Sequence, residues 1–135
     1  MTSARKLLPH PHGPGRPYAG AAVSGGVVWS CGQVPARRDG TVPESIEDQT
    51  RVAIDNLDET LRAAGASLRT LLKLTVYLSD LGEFDAYNRA YLDRMAGIDL
   101  PPRTTVRVAG FRGTKRIEID AVAAVGQPET NSDET

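Results

Sequence analysis

The fold this sequence predicts is an α+β sandwich, two helices on one face of a mixed β-sheet in the order β-β-α-β-α-β-β. Three observations carry the prediction. Apolar residues recur at helical spacing in two separate segments, they alternate at strand spacing between and after those segments, and glycine or proline marks nearly every change of period.

Residues 18–23 and 27–31 are short strand-like runs on either side of Ser24-Gly25-Gly26, whose glycines supply the positive φ angles of a tight hairpin. A first helix is expected over 45–64. Ser45 with Asp48 three residues later approximates a capping box, Ala53, Leu57, Leu61 and Ala64 form the apolar stripe, and Gly65 offers a left-handed stop. Leu72, Leu74, Val76 and Leu78 then alternate with Lys73, Thr75 and Tyr77, the period of a strand with one apolar face. Asp80 and Glu83 open a second helix whose stripe is Phe84, Tyr87 or Asn88, Tyr91 and Met95, ended before Gly97 and well ahead of Pro101-Pro102.

The last two strands are expected over 104–109 and 116–125, and sequential neighbours of this kind usually pair as an antiparallel hairpin. Ile117, Ile119, Ala121 and Ala123 form the face that the helices should cover. That places Arg103, Thr105, Arg107, Glu118 and Asp120 on the opposite face with Thr75 and Tyr77. A face so rich in paired charges and hydroxyls is expected to be covered by another copy of the chain.

The chain is long enough for one domain over 17–125. Residues 1–16 read as an arm that is ordered only if something ties it down, and 126–135 as a polar, acidic, disordered tail. Lys plus Arg number 16 against 17 Asp plus Glu, a net charge of −1, so nothing in the balance calls for nucleic acid or an anionic membrane. Cys31 stands alone and cannot form an internal disulfide, and no run has the length of a membrane span or the form of a signal segment; the cytoplasm is the expected compartment. His10-Pro11-His12 lacks further ligands at metal-binding spacing, so neither a metal nor another cofactor is expected.

Candidate chemistry centres on the last two strands. Pro101-Pro102 positions the backbone at Arg103 before any ligand arrives, and the guanidinium then serves either an ion pair with Glu118 or Asp120 or a two-pronged grip on a small carboxylate. Glu118 lies among apolar neighbours, where an unpartnered carboxylate is costly to desolvate. It either neutralises Arg103 or Arg107 or, with a pKa raised by partial burial, takes a proton from water. Tyr18 is either an ordinary hairpin tyrosine or a ring that packs on a ligand. Gly32 permits close backbone approach, so that its amide or the carbonyl of Cys31 can hydrogen-bond a ligand. Cys31 itself reads as a small buried apolar residue, with no histidine beyond the arm to pair with it. Asn88, on the inward stripe of the second helix, braces a neighbouring loop or supports the substrate.

Taken together, Ser30-Cys31-Gly32-Gln33-Val34-Pro35, Pro101-Pro102-Arg103-Thr104-Thr105-Val106 and Ile117-Glu118-Ile119-Asp120-Ala121 resemble the RidA (YjgF/YER057c/UK114) family of enamine/imine deaminases. The likeness runs from Pro17-Tyr18 through Gln49, Asn56-Leu57, Ala63-Ala64-Gly65, Thr75-Val76-Tyr77 and Phe84 with Asn88 and Tyr91 to Ala123. It implies a chorismate-mutase-like fold, a homotrimer with sites in the clefts between subunits, Arg103 as the grip on a substrate carboxylate and Glu118 as the residue that positions water. Tyr18, Cys31, Gly32, Thr105 and Asn88 are the implied substrate contacts. Four positions depart from the family pattern. Cys31 stands where serine is common, Thr105 where cysteine or serine is common, Arg16 where glycine is usual, and Arg107 at a site often acidic. The two arginines add positive charge and bear on which substrate is taken more than on the reaction.

The implied activity is cofactor-independent hydrolysis of 2-imino acids such as 2-iminopropanoate or 2-iminobutanoate to 2-oxo acids and ammonia. Rival expectations are a related imine or enamine in a specialised-metabolite or catabolic pathway, and a non-catalytic module that binds small carboxylates. RNA cleavage, sometimes attached to the family, is disfavoured by the near-neutral charge and the lack of a catalytic His pair or a basic aromatic stripe.

Overall fold

The computed structural model describes residues 4–126, so the expected tail, apart from Gly126, lies outside the described residues. Six strands and two α-helices follow one another: β1 Lys6–Leu8, β2 Ala21–Ser24, β3 Val27–Ser30, α1 Ile46–Ala63, β4 Leu71–Leu78, α2 Phe84–Arg94, β5 Arg103–Arg107 and β6 Ile117–Ala124. They build one sheet in the order β1-β2-β3-β6-β4-β5.

The predicted hairpin is present, though its strands begin and end closer to the turn, with Gly25 and Gly26 at φ 56° and 79°. Helix α1 starts where the Ser45 hydroxyl accepts the amide of Asp48 at 3.0 Å. It ends in a Schellman motif. Ala66 N–H donates to Leu61 and Gly65 N–H to Arg62, with Gly65 at φ 83°, a conformation that glycine reaches without a Cβ clash. Asp80 caps a single 3₁₀ turn, Leu81–Glu83, that runs directly into α2, so the second helix starts one turn later than its acidic residues suggest.

Two expectations are corrected. The arm contributes β1, which pairs antiparallel with β2 and adds a strand that the sequence pattern does not reveal. The last two strands do not pair with each other. Strand β6 inserts between β3 and β4, antiparallel to both, while β5 runs parallel to β4 at the sheet edge, with Leu74 opposite Arg103 and Leu78 opposite Arg107. Once α2 has crossed the sheet, the connection brings β5 back alongside β4 in the same direction, and the long central β6 then fills the slot between the two hairpin strands and β4.

The core lies between the sheet and the helices. Ile117, Ile119, Ala121 and Ala123 of β6 meet Leu74, Val76 and Leu78 of β4 and the buried stripe Ala53, Ile54, Leu57 and Leu61 of α1. Each Leu or Ile so buried contributes about 1.5–3 kcal/mol. Leu72 departs from the expected alternation: a register slip between Leu71 and Lys73 turns it outward, 48 % exposed. Gln49, fully buried on α1, donates to the carbonyls of Pro43 and Thr114 and accepts the amide of Arg116, locking the start of β6 to the helix.

Candidate active site

The predicted site residues fall into two groups on opposite faces of the sheet. Glu118 alternates with the buried Ile117 and Ile119, so its side chain leaves the core and points to the open face, opposite Tyr77 in the register of β6 and β4. Next to it, Gln33 exchanges both backbone hydrogen bonds with Ile119, at 2.7 and 3.0 Å, which draws the chain after β3 across the end of β6. Gly32 thereby lies against Glu118. A Cβ on Gly32 would stand 2.0 Å from Oε2 of Glu118 and 2.7 Å from its carboxyl carbon. Only glycine leaves room for that carboxylate.

Glu118 is half-buried. Burial, with Asp120 nearby as a second negative charge, raises its pKa above the usual carboxylate range. Among the described residues it pairs with no cation, so the expected neutralisation by Arg103 or Arg107 does not occur within the chain. Asp120 is engaged differently: it accepts the Tyr77 hydroxyl at 2.7 Å, and this bond pushes the Tyr77 pKa up to about 12.

Glu118 forms part of the lining of a cavity of about 450 Å³, together with Gly32, Cys31 and Tyr18. Tyr18 lies in the loop before β2, 54 % exposed, its ring edge-on to His10 at 6.4 Å. Cys31 is half-buried, its Sγ taking a 3.4 Å hydrogen bond from Gln33, and burial raises its pKa, the opposite of what activates a thiol nucleophile. Asn56 of α1 donates to the carbonyls of Val34 and Ala36, both at 2.9 Å, and so fixes the loop that forms the far wall.

The arm supplies Arg16, which the sequence marked as an added charge, and two histidines, which it weighed only as metal ligands. His10, His12 and Arg16 line the same cavity, and the tie is visible: the amide of His12 donates to Nδ1 of His10, and His12 Nε2 lies 3.2 Å from Glu59 of α1. Both histidines of the arm therefore line the cavity that Glu118 also lines. Burial and the charge of Arg16 hold His10 below its usual pKa. The prolines and glycines around these residues carry no periodicity, and only the β1–β2 pairing reveals where the arm runs.

Arg103 and Thr105 are corrected to the other face. Strand β5 pairs in parallel with β4 so that Arg103, Thr105 and Arg107 share a side with Leu74, Val76 and Leu78, beneath α2, rather than with Glu118. Thr105 Oγ1 and the Tyr87 hydroxyl are 2.8 Å apart. The Arg103 guanidinium sits in an aromatic box, 4.5 Å from the centroid of Tyr91, 5.3 Å from Tyr87 and 5.8 Å from Phe84. Asn88 accepts one of its N–H bonds at 2.8 Å. Asn88 thus orients Arg103 and does not brace a loop through this oxygen. Four of the five guanidinium donors have no partner among the described residues, and no carboxylate lies within ion-pair reach. A flat cation held on three rings with its fork unspent is built to receive a planar anion.

An α+β sheet with a preformed arginine on one face and, on the other, a half-buried carboxylate that pairs with no cation among the described residues defines a fold class found in one family. The chain belongs to the YjgF/RidA family: the family model described as Endoribonuclease L-PSP matches residues 10–125. Protein mmf2, mitochondrial, of Schizosaccharomyces pombe is 40 % identical over 82 % of this chain and 89 % of its own length. TdcF of Escherichia coli, a candidate reactive intermediate deaminase by its name, is 30 % identical over 88 % and 96 %. The crystal structure of TdcF with bound serine superposes with a TM-score of 0.78, covering 87 % of this chain and 93 % of the other at 30 % identity. A Rid-family protein of Yersinia pestis gives a TM-score of 0.83 over 90 % and 100 % at 28 % identity. The YjgF-type fold expected from the sequence is the fold observed.

Proposed function

We propose that the chain hydrolyses reactive 2-imino acids, such as 2-iminopropanoate and 2-iminobutanoate, to 2-oxo acids and ammonia at sites shared between the subunits of a homotrimer. One observation carries the reading. Arg103 and Glu118 lie on opposite faces of one sheet, each without an ionic partner among the described residues, and a second copy laid on the open face can bring the Arg103 of one subunit to the Glu118 cavity of its neighbour. The deaminase name carried by the relative TdcF supports the same chemistry.

In this mechanism Arg103 receives the substrate carboxylate in two parallel hydrogen bonds, which fixes C2 over Glu118. Glu118 takes a proton from water as the water oxygen bonds to C2, and the π electrons of the C=N bond move to nitrogen, which receives that proton. The resulting carbinolamine gives its hydroxyl proton to Glu118 while the C2=O bond forms and the C2–N bond breaks. The leaving nitrogen collects the proton as ammonia, and the carboxylate is restored. A carboxylate whose pKa is raised toward neutrality is a better base for this task than an exposed one. Imines already hydrolyse in water, so positioning and one proton relay supply a sufficient reduction of the barrier.

The test is release of ammonia and 2-oxo acid from freshly generated 2-iminopropanoate and 2-iminobutanoate, with wild type, Arg103→Ala and buffer alone. Acceleration by wild type and its loss in Arg103→Ala are expected. Binding of 2-oxobutanoate without any acceleration would replace the enzyme by a carboxylate-binding module.

A further inference from the structure

The cavity beside Glu118 is far more basic than the chain that forms it. Net charge over the whole sequence is −1, yet three arginines, Arg16, Arg37 and Arg38, line this one cavity against a single lining carboxylate, Glu118. The three are not equivalent. Arg38 is engaged, paired with Glu59 and donating to the carbonyl of Pro11 at 2.9 Å, and so pins the arm to α1. Arg16 donates only to the carbonyl of Gly13 at 2.8 Å, and Arg37 only to the Thr41 hydroxyl at 3.3 Å. Neither is within ion-pair distance of a carboxylate among the described residues, although Arg37 shares the Thr41 hydroxyl with Asp39 and its charge is felt there, so each keeps most of its donors at the cavity wall. Arg16 stands close enough to the cavity floor that its charge is felt at both His10 and Cys31, the latter adjacent to Gly32.

We infer that Arg16 and Arg37 form a second anion-binding wall, and that the preferred substrates are 2-imino dicarboxylic acids of four or five carbons. The inference rests on the imine-hydrolase reading above. There Arg103 of a neighbouring subunit takes the carboxylate next to C2, and Glu118 lies beneath C2, so the substrate side chain extends into the cavity. A volume of about 450 Å³ exceeds what a three-carbon imino acid needs. An apolar side chain would leave two guanidinium groups facing it without an anion, whereas a distal carboxylate meets two forks shaped for it. Arg107, the other added cation, lies exposed at the far end of β5 on the side that carries Arg103, and is not among the residues that line this cavity.

The experiment compares kcat/KM for 2-iminoglutarate and 2-iminobutanoate, each generated in situ by an amino-acid oxidase, in wild type and in Arg16→Gln/Arg37→Gln. Calorimetric binding of the stable products 2-oxoglutarate and 2-oxobutanoate runs in parallel. Wild type is expected to favour the dicarboxylate by about tenfold or more in both measurements, and the double variant to bring both ratios close to one. Both arginines are exposed, and circular dichroism checks that the variant keeps its fold. Equal or better use of the monocarboxylate by wild type overturns the second wall while leaving the hydrolase reading intact. If wild type hydrolyses neither imine but still binds 2-oxoglutarate more tightly in an Arg16- and Arg37-dependent way, the wall stands and the hydrolase reading falls.

Discussion

The missing side chain of Gly32 and the carboxylate of Glu118 occupy the same place: a Cβ at position 32 would stand 2.0 Å from Oε2. The glycine has no positive φ to explain it, so the requirement is space for the acid and not backbone conformation. Gly32→Ala must therefore move the Glu118 side chain off the cavity floor. The expected result is a folded protein of little-changed stability, since only the end of a flexible side chain must shift, with imine turnover lower by at least about tenfold. Thermal unfolding beside kinetics checks this; unchanged turnover would mean that the observed carboxylate position is not the working one.

Arg103 and Glu118 face away from each other across one sheet, so a site that uses both must draw them from two chains. Arg103→Ala and Glu118→Gln, each inactive by itself, should restore activity when mixed through unfolding and refolding or co-expression. In a randomly mixed ring about a quarter of the sites receive an intact arginine and an intact glutamate, and about that fraction of wild-type activity should return. No recovery, in mixtures that native mass spectrometry shows to be mixed trimers, would place the whole reaction within one chain.

Arg103→Lys keeps the charge yet should lose about tenfold or more in kcat/KM. An ammonium presents neither a planar face to Tyr91, Tyr87 and Phe84 nor a fork that satisfies Asn88 and a carboxylate together. Most of the loss should appear in KM, because the arginine grips the substrate before reaction as well as during it. Wild-type kinetics in this variant would reduce Arg103 to a structural cation of the aromatic box.

How much of this was legible in the residues depends on which physical signal each feature leaves. Burial leaves a period, so α1, β4 and the covered face Ile117, Ile119, Ala121 and Ala123 could be read directly. The motif around Gly32 and Glu118 likewise marked the cavity floor. Strand partnership leaves no period, and the parallel edge position of β5 could not be read. Arg103 and Thr105 were then assigned to the wrong face, because the side a residue takes is set by its register with the true neighbour, and a shift of one residue exchanges the two sides. The aromatic box was visible only in part: Phe84, Tyr87 and Tyr91 recur at helical spacing as any buried stripe does, and nothing in that spacing announces a cation on top of it. The arm was opaque because its order comes from β1 pairing and from the Arg38 and Glu59 contacts, all long-range.

Glu118→Gln separates the two uses of the carboxylate, and its pH dependence gives the clearest signature. Burial and Asp120 raise the folded-state pKa of Glu118 above its unfolded value, so the folded chain binds this proton more tightly than the unfolded chain does. The stability associated with that proton is fully present below the unfolded pKa and is lost as pH rises through the folded one. At neutral pH the ionised carboxylate therefore costs stability. Gln, which never ionises, should raise Tm there, with the gain shrinking as pH falls into the usual carboxylate range. Activity should move the other way. The acid limb of the wild-type kcat/KM profile should lie above the usual carboxylate range and vanish in Glu118→Gln, whose residual rate should be lower by about two orders of magnitude. Binding of 2-oxobutanoate through Arg103 should persist, since the amide removes a negative charge from the cleft. A variant that loses binding and turnover together, with no gain in Tm, would show Glu118 to be holding the site in shape, not working on water.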